Sequence, residues 1–324
     1  MLRLLYAFSV ALAMSLPAFG QGVTLRLISG WTPNNPNVPL IEAVFIKNVA
    51  DASKGEIKIQ RSGPEVVPAF EQLQPVAAGV FDFLFTTPGY HAAQSGVANV
   101  FDTMKPDADA RRAAGLFDWG DDFYRKRFNQ RIIAMIPAPG NHFVLREPLT
   151  DSSLKGRKIR AIATFEGLVR TLGGTPVNMP PADAFSAMQK GTIDGITFPS
   201  FASADYKLYE VGKFMTRPIF GGTNSMITIN VKKFDSLSPA HQKILLDEGR
   251  KMEAIGKKAS YDHERTDIET MTKNGVKPVS FDSKVAADLN RLYNEGIVAI
   301  AGKSTPAEVK ALFDMARAKN MLNE

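Results

Sequence analysis

The first part of the chain alternates strand-type and helix-type hydrophobic patterns. Residues 23–29, VTLRLIS, alternate apolar and polar positions with the period of two that is typical of a β-strand. Apolar residues then recur at helical spacing over 37–50, a second strand is indicated at 55–60, and a helix over 66–78 precedes a third strand at 81–85. Strands that alternate with helices predict a mainly parallel sheet with helices on both faces.

The same pattern restarts further along the chain. Apolar, β-branched residues at 131–136 and 158–162 predict two strands, and a helix over 165–172 follows them. A second helix over 181–191 begins with proline in its first turn and ends at glycine, and it leads into a strand at 192–198. Two α/β halves in one chain predict two lobes with a cleft between them.

A long uninterrupted helical pattern occupies residues 238–275. It begins at Ser238 and Pro239, which are good helix-start residues, and it contains no internal proline. About 36 residues at ~1.5 Å each would span on the order of 54 Å, enough to brace both lobes. The alternative is a pair of shorter helices that break near Gly256.

The N-terminus has the order of a secretory signal. Arg3 precedes an apolar stretch over 4–16, and small residues follow, with cleavage expected between Gly20 and Gln21. The apolar stretch is shorter than the ~20 residues of a membrane span, although a short anchor helix is an alternative. The chain has no cysteine, which excludes a lipid-anchored cysteine. Export without disulfides indicates a periplasmic protein whose core is large enough to fold unaided.

Composition and charge narrow the class of partner. The 324 residues are 44% hydrophobic and 22% charged, with a formal net charge of +6. The basic residues are interspersed with acidic ones, whereas nucleic-acid binding requires a concentrated basic face. The modest positive excess is compatible with an anionic ligand.

Motifs for catalysis and cofactor binding are not found in the sequence. Four scattered histidines, His91, His142, His241 and His263, form no pair at metal-ligand spacing. The sequence contains no nucleophile elbow, no phosphate-binding loop and no dinucleotide fingerprint. The adjacent acids at 121–122 are typical of a solvated helix face. We therefore expect neither an enzyme, nor a metal site, nor a cofactor.

Arg160 is the residue with the most open interpretation. In KIRAI, strand alternation puts Lys158, Arg160 and Ile162 on one side. The pattern alone favours a solvent-facing arginine. The alternative is a guanidinium at the carboxyl end of a strand, where ligands of open α/β sheets bind, gripping a carboxylate with both of its arms.

The stretch 154–199 resembles a known family. LKGRKIRAIATFEGLVRTLGGTPVNMPPADAFSAMQKGTIDGITFP is similar to the signature region of the substrate-binding proteins of tripartite ATP-independent periplasmic (TRAP) transporters. That region carries leucine-lysine-glycine, an arginine in a strand, methionine-proline, and glycine-x-x-aspartate-glycine before a proline. The segments at 70–90 and 227–249 resemble the flanking family segments in the same order.

The resemblance implies two lobes that close over an organic acid and deliver it to a membrane permease. It implies that Arg160 is the main carboxylate clamp. Phe198 departs from the family, which often has asparagine before this proline. The other pocket positions implied by alignment are Asn141, Thr87, Tyr90 and Asn224, and those at plausible cleft edges are Trp31, Phe165 and Phe201. Ordinary packing is the alternative for each.

We expect a monomer whose lobes comprise 21–138 with 227–264, and 139–226 with 265–324. Phe165 and Phe198 beside the clamp favour a less polar, even aromatic, monocarboxylate over a dicarboxylate or sugar acid. Two other functions fit the same sequence. One is a periplasmic enzyme acting on a small organic acid, and the other is a sensor protein that presents its ligand to a membrane receptor.

Overall fold

A computed structural model describes residues 22–323 of the chain. The predicted signal sequence at 1–20 lies outside the described residues. The strands are β1 Val23–Ser29, β2 Ile57–Ser62, β3 Phe83–Thr86, β4 Gln130–Ala138, β5 Asn141–Leu145, β6 Lys158–Arg160, β7 Thr175–Val177, β8 Gly195–Pro199, β9 Phe214–Arg217, β10 Thr223–Asn230 and β11 Lys277–Ser280. The α-helices are α1 Ala43–Ala52, α2 Leu73–Ala77, α3 Gly96–Asn99, α4 Ala108–Ala113, α5 Leu116–Phe128, α6 Glu166–Thr171, α7 Pro181–Gln189, α8 Leu208–Val211, α9 Val231–Asp235, α10 Pro239–Lys273, α11 Ser283–Ala301 and α12 Pro306–Ala318. Within the described part of the chain, no helix is long and apolar enough to cross a bilayer.

The first sheet is mixed rather than mainly parallel. Its strand order is β2-β1-β3-β10-β4, with β1 parallel to β2 and β3. β10 inserts antiparallel between β3 and β4, although it lies far from both in the chain. The pattern at 131–136, interpreted above as the start of the second half, is therefore part of β4 in the first sheet. Local periodicity identified these strands but carries no information on such long-range pairing.

The second sheet has the order β11-β9-β5-β8-β6-β7. β6 is parallel to β7 and β8, while β5 is antiparallel to β8 and β9. Its strands come from 141–217 and 277–280, and those of the first sheet come from 23–138 and 223–230. The chain thus crosses repeatedly between the sheets. The two-lobe α/β architecture is confirmed, and the exact lobe boundaries remain a prediction.

The long helix is continuous. α10 has 35 residues, about 52 Å in length, and the break considered near Gly256 does not occur. The Ser238 hydroxyl caps it by accepting a hydrogen bond from the His241 N–H at 3.2 Å. A Cβ at Gly249 would lie 2.4 Å from Ile133 Cγ2, so glycine lets the helix lie directly on β4. The other end of α10 reaches the second sheet, where Asp267 Oδ2 accepts a hydrogen bond from the Ala204 N–H at 2.7 Å.

Two local predictions are wrong in instructive ways. The helix expected over 66–78 is a 3₁₀ turn at Ala69–Glu71 followed by the short α2, because the ring of Pro75 would clash with a continuous helix before it. Of the two acids expected to be solvated, Asp122 is exposed, whereas Asp121 is buried and accepts the Ile132 N–H at 2.7 Å. The packing of α5 on β4 decides this difference.

The two sheets are in contact around the cleft between them. The Pro88–His91 turn after β3 packs on the Ala163–Phe165 turn after β6. A Cβ at Gly89 would lie 2.7 Å from Ile162 Cδ1, so the two turns approach as closely as glycine permits. The molecule is therefore in a closed conformation.

Candidate ligand-binding site

A cavity lies where the carboxyl ends of β1, β3, β6 and β8 converge. This is the edge at which open α/β sheets bind ligands. About 600 Å³ of space there, including its opening to solvent, is not filled by protein atoms. Its walls are formed by Trp31, Asn35, Asn37, Thr87, Gly89, Tyr90, Asp102, Asn141, Arg160, Ile162, Thr164, Phe165, Pro181, Thr197, Phe198, Pro199, Ala202, Gly222, Thr223 and Tyr293.

Arg160 points into this cavity rather than into solvent. It is the last residue of β6, and only 3% of it is exposed. Its Nε donates to the Met179 carbonyl at 3.0 Å and its Nη1 to the Thr197 carbonyl at 3.1 Å. The solvent-facing orientation that alternation favoured is therefore wrong. β6 is an inner strand between β7 and β8, and strands of parallel sheets are commonly covered on both faces.

The Arg160 guanidinium carries a buried positive charge that has no counter-ion among the described residues. Its Nη2 is buried and has no hydrogen-bond partner among the described residues, and no acid within residues 22–323 forms an ion pair with it. Burial lowers the pKa of Arg160, an effect that the nearby Tyr90 and Tyr206 partly oppose. Two buried arms are thus fixed on carbonyl groups, and the free arm requires an external acceptor.

Aromatic rings form much of the remaining wall. The Phe198 ring centroid lies 5.8 Å from Arg160 Cζ, within the range of a cation–π contact. Trp31 and Tyr90 have ring centroids 6.1 Å apart on the first-sheet side, and Phe165 and Tyr293 lie 5.4 Å apart on the other. The cavity therefore combines one cation with flat apolar surfaces.

The cavity wall includes seven of the eight predicted ligand-binding residues. These are Arg160, Phe198, Asn141, Thr87, Tyr90, Phe165 and Trp31. Their contacts with a ligand remain a prediction. Asn224 does not line the cavity, because its Nδ2 donates to Asp102 Oδ1 at 2.6 Å and its Oδ1 accepts from Arg111 Nη1 at 2.7 Å. Phe201, expected at a cleft edge, is fully buried in the core beneath the second sheet.

Asp102 is a cavity residue that sequence reasoning missed. It is 4% exposed, and burial raises its pKa to about 7 despite the hydrogen bond from Asn224 and the nearby Arg111. The Arg111 guanidinium is not free to rotate towards the Asp102 carboxylate, because its Nη2 also donates to the Phe101 and Met104 carbonyls. No local motif marks Asp102, because the three residues of this cluster meet only through the insertion of β10.

A direct hydrogen bond joins the two sides of the cleft at its rim. Asn35 Nδ2, beyond β1, donates to the Tyr206 hydroxyl, beyond β8, at 3.1 Å. Tyr293 on α11, which also lines the cavity, donates its hydroxyl to the Gly222 carbonyl at 3.1 Å. The contact between Asn35 and Tyr206 must therefore break for the cleft to open.

Residues 29–296 match the family model described as bacterial extracellular solute-binding protein, family 7 (DctP). The chain belongs to this family. Family 7 proteins are the solute receptors of TRAP transporters, so the resemblance noted in the sequence is confirmed, and its members are receptors rather than enzymes.

Several characterised relatives are similar over most of the chain. The 2,3-diketo-L-gulonate-binding periplasmic protein YiaO of Escherichia coli is 27% identical over 243 residues, which cover 72% of this chain and 67% of YiaO. The ectoine-binding periplasmic protein TeaA of Halomonas elongata is 23% identical over 277 residues, covering 81% and 77% of the two chains.

Two solved structures share the fold of this family 7 protein. A TRAP periplasmic solute-binding protein of Desulfovibrio salexigens, with bound orotic acid, has a TM-score of 0.80 at 17% identity, covering 91% of this chain and 98% of that one. An extracytoplasmic solute receptor of Bordetella pertussis that binds pyroglutamic acid has a TM-score of 0.79 at 17% identity, covering 91% and 100%.

Proposed function

We propose that this family 7 protein is a periplasmic receptor that binds an organic monocarboxylate through Arg160 and delivers it to the membrane permease of a TRAP transporter. The observation that carries the proposal is the buried guanidinium, whose Nη2 has no partner among the described residues. A carboxylate placed there would accept a charge-assisted hydrogen bond and supply the missing counter-charge. The named relatives, periplasmic proteins that bind a sugar acid and ectoine, support the compartment and the role.

The remaining walls favour a compact, flat acid with a single carboxylate. Trp31, Phe165 and Phe198 contribute aromatic rings to the wall. Phe198 occupies the position before the proline at which an asparagine amide could hydrogen-bond to a sugar acid. Asp102 lines the same cavity, and its ionised form would repel a second carboxylate and accept a hydrogen bond from an N–H or O–H group.

Orotic acid and pyroglutamic acid, bound by the two structural neighbours, have this chemistry. Each has a compact ring, one carboxylate and at least one ring N–H donor; the ring of orotic acid is flat and that of pyroglutamic acid is nearly so. Other neighbours of the same fold bind β-D-galacturonate and galactonate, so the fold alone does not select the ligand. The side chains of this cavity are what favour the flat monocarboxylate here.

Binding would be coupled to closure of the two lobes. In an open cleft Arg160 is hydrated, and closure transfers it into the buried environment seen here, where an ion pair is stronger. A ligand that contacts both lobes therefore shifts the population from open to closed. The closed form then presents one continuous surface to the permease.

A thermal-shift screen with matched ligands tests the proposal. Orotate is compared with uracil and pyroglutamate with 2-pyrrolidone, since each pair differs by the carboxylate alone. Succinate and galacturonate represent dicarboxylates and sugar acids. We expect a flat monocarboxylate to raise the melting temperature with increasing concentration, and its neutral analogue to have no effect.

If galacturonate raises the melting temperature and no flat monocarboxylate does, the proposed ligand class is contradicted. The protein would still be a receptor for organic acids. Equal stabilisation by an acid and its neutral analogue would contradict the carboxylate clamp. Mass spectrometry of the released ligand separates the receptor from the rival enzyme, because a receptor returns its ligand unchanged.

A further inference from the structure

A second group of ligand-type side chains lies outside the cleft, where α10 meets the loop after β8. It comprises Asp205 from the loop and His263 and Asp267 from α10. One ligand atom from each lies within 4.8 Å of the others, and His263 Nε2 is 2.8 Å from Asp205 Oδ2. His263 and Asp267 are four residues apart and so share one face of the helix. The search for paired histidines in the sequence missed this His-x-x-x-Asp arrangement.

The buried carboxylate of this group is incompletely satisfied. Asp267 is 2% exposed, and while its Oδ2 accepts the Ala204 N–H, its Oδ1 is buried without a partner among the described residues. Burial raises the pKa of Asp267 to about 7, and the neighbouring Asp205 and Glu264 act in the same direction. Arg217 and His263 are the basic groups that face these acids. An unpartnered carboxylate oxygen among three acids is a position that a cation would stabilise.

We propose that Asp205, His263 and Asp267 form a divalent-metal site that prefers Zn²⁺. Zinc binds imidazole nitrogen and carboxylate oxygen at about 2.0–2.2 Å, so tetrahedral ligand atoms lie about 3.4 Å apart. The present atoms, all within 4.8 Å of one another, need only small side-chain movements to reach that spacing. The imidazole favours zinc over calcium and magnesium, which prefer all-oxygen sites. Water would complete the coordination.

The site lies at the base of a closure contact. Asp205 immediately precedes Tyr206, whose hydroxyl accepts the Asn35 hydrogen bond across the cleft. A bound ion would tie this loop to α10 and so favour the closed form in which Tyr206 meets Asn35. This consequence rests on the proposed receptor function, but zinc binding itself does not.

Isothermal titration of the chelator-treated protein with Zn²⁺ at pH 7.5, with no organic acid present, tests the site. We expect saturable binding of one equivalent, and little heat with Ca²⁺ or Mg²⁺. Asp205→Asn and His263→Gln should each weaken zinc binding at least about tenfold. Both side chains are more than a quarter exposed, at 29% and 27%, so these variants should fold, as circular dichroism would verify.

Two substitutions on the same helix serve as matched controls. Asp262→Asn removes an exposed acid that pairs with Lys258, and His241→Gln removes a histidine that is hydrogen-bonded to Glu56 at 2.9 Å. Both should bind zinc as the wild type does. The proposal is overturned if no saturable zinc binding occurs, if both cluster variants bind like wild type, or if His241→Gln alone abolishes binding.

Discussion

Replacing Arg160 with alanine should remove most of the affinity for the organic acid and leave a folded protein. The wild-type ion pair would be buried, since 3% of Arg160 is exposed. Truncating one partner of such a pair costs about 2–5 kcal/mol. At about 1.4 kcal/mol per tenfold change, the dissociation constant should rise roughly 30- to 4000-fold.

The same substitution has opposing effects on stability. The Met179 and Thr197 carbonyls lose the guanidinium donors, at about 1–3 kcal/mol for each group left unsatisfied. Removal of a buried charge that has no counter-ion among the described residues offsets part of this loss. The remainder is smaller than the roughly 5–15 kcal/mol stability of a typical domain, so the variant should fold.

Tryptophan fluorescence provides a direct assay. The chain has two tryptophans, and Trp31 lines the cavity while Trp119 lies on α5. A Trp119→Phe background therefore leaves Trp31 as the single reporter of binding. Titration of this protein with the best acid from the thermal-shift screen gives the dissociation constant.

Two further variants serve as controls for the Arg160→Ala measurement. Arg157→Ala removes a neighbouring arginine whose arms donate to the Glu147 and Pro148 carbonyls, and it should bind normally. Arg160→Lys keeps the charge but loses the planar fork, so it should bind with intermediate affinity. A folded Arg160→Ala protein that binds within threefold of wild type would refute the clamp.

Close packing and one buried acid give three further predictions. Gly89→Val should weaken the fluorescence-measured affinity about 5- to 150-fold, because a Cβ 2.7 Å from Ile162 Cδ1 overpacks the closed cleft by about 1–3 kcal/mol. Adding Ile162→Ala to this variant should restore part of the lost affinity. Gly249→Ala should lower the urea-measured free energy of unfolding by up to about 2 kcal/mol, because overpacking against Ile133 costs about 1–3 kcal/mol and the helix-propensity gain offsets about 1 kcal/mol of it. Asp102→Asn should remove a pH dependence of the free energy of unfolding. Burial raises the pKa of Asp102 to about 7 in the folded state, above about 3.9 in the unfolded state. The stability of the wild type relative to the variant should therefore fall between about pH 4 and pH 7, by up to about 1.4 kcal/mol per pH unit.

Separate observations check these three outcomes. Ala254→Gly, on the exposed face of α10, measures helix propensity alone and should cost about 1 kcal/mol. A Gly249→Ala protein more stable than wild type would contradict the close approach of α10 to β4. Wild-type affinity in Gly89→Val would exclude a closed state with this contact. A stability difference between wild type and Asp102→Asn that stays constant from pH 4 to 7 would contradict the raised pKa of that carboxyl.

The elements that the sequence predicts correctly are those whose signals are local. α10 begins where Ser238 and Pro239 place its start and continues because no proline interrupts it. β1 follows its alternating pattern. By contrast, β10 joins β3 and β4 across a long stretch of chain, and no periodicity within 223–230 indicates its neighbours. The mixed sheet was therefore beyond what these patterns predict.

The residues of the candidate site likewise fall into those that the sequence predicts and those that depend on long-range contacts. The alternating pattern around Arg160 favoured a solvent-facing side chain. Such a pattern contains no information on the strands that flank β6 or on the Met179 carbonyl that accepts the Nε hydrogen bond. The family resemblance supplied that missing three-dimensional information and predicted seven of the twenty residues that line the cavity. Asp102 and Asp205 carried no family signal and no local motif. They are visible only once distant segments have been brought together.

With Arg160 as the proposed carboxylate clamp, its burial would link ligand affinity to closure of the cleft. In a closed but empty cleft, its charge has no counter-ion among the described residues, so closure without ligand carries the desolvation cost of that charge. An anion in the cavity removes this cost and adds its own hydrogen bonds, while a neutral molecule of the same shape removes none of it. A difference of about 2–5 kcal/mol between the two changes the ratio of closed to open molecules roughly 30- to 4000-fold. That is sufficient to convert a mostly open population into a mostly closed one, so a permease that recognises the closed form would encounter it chiefly when an acid is bound.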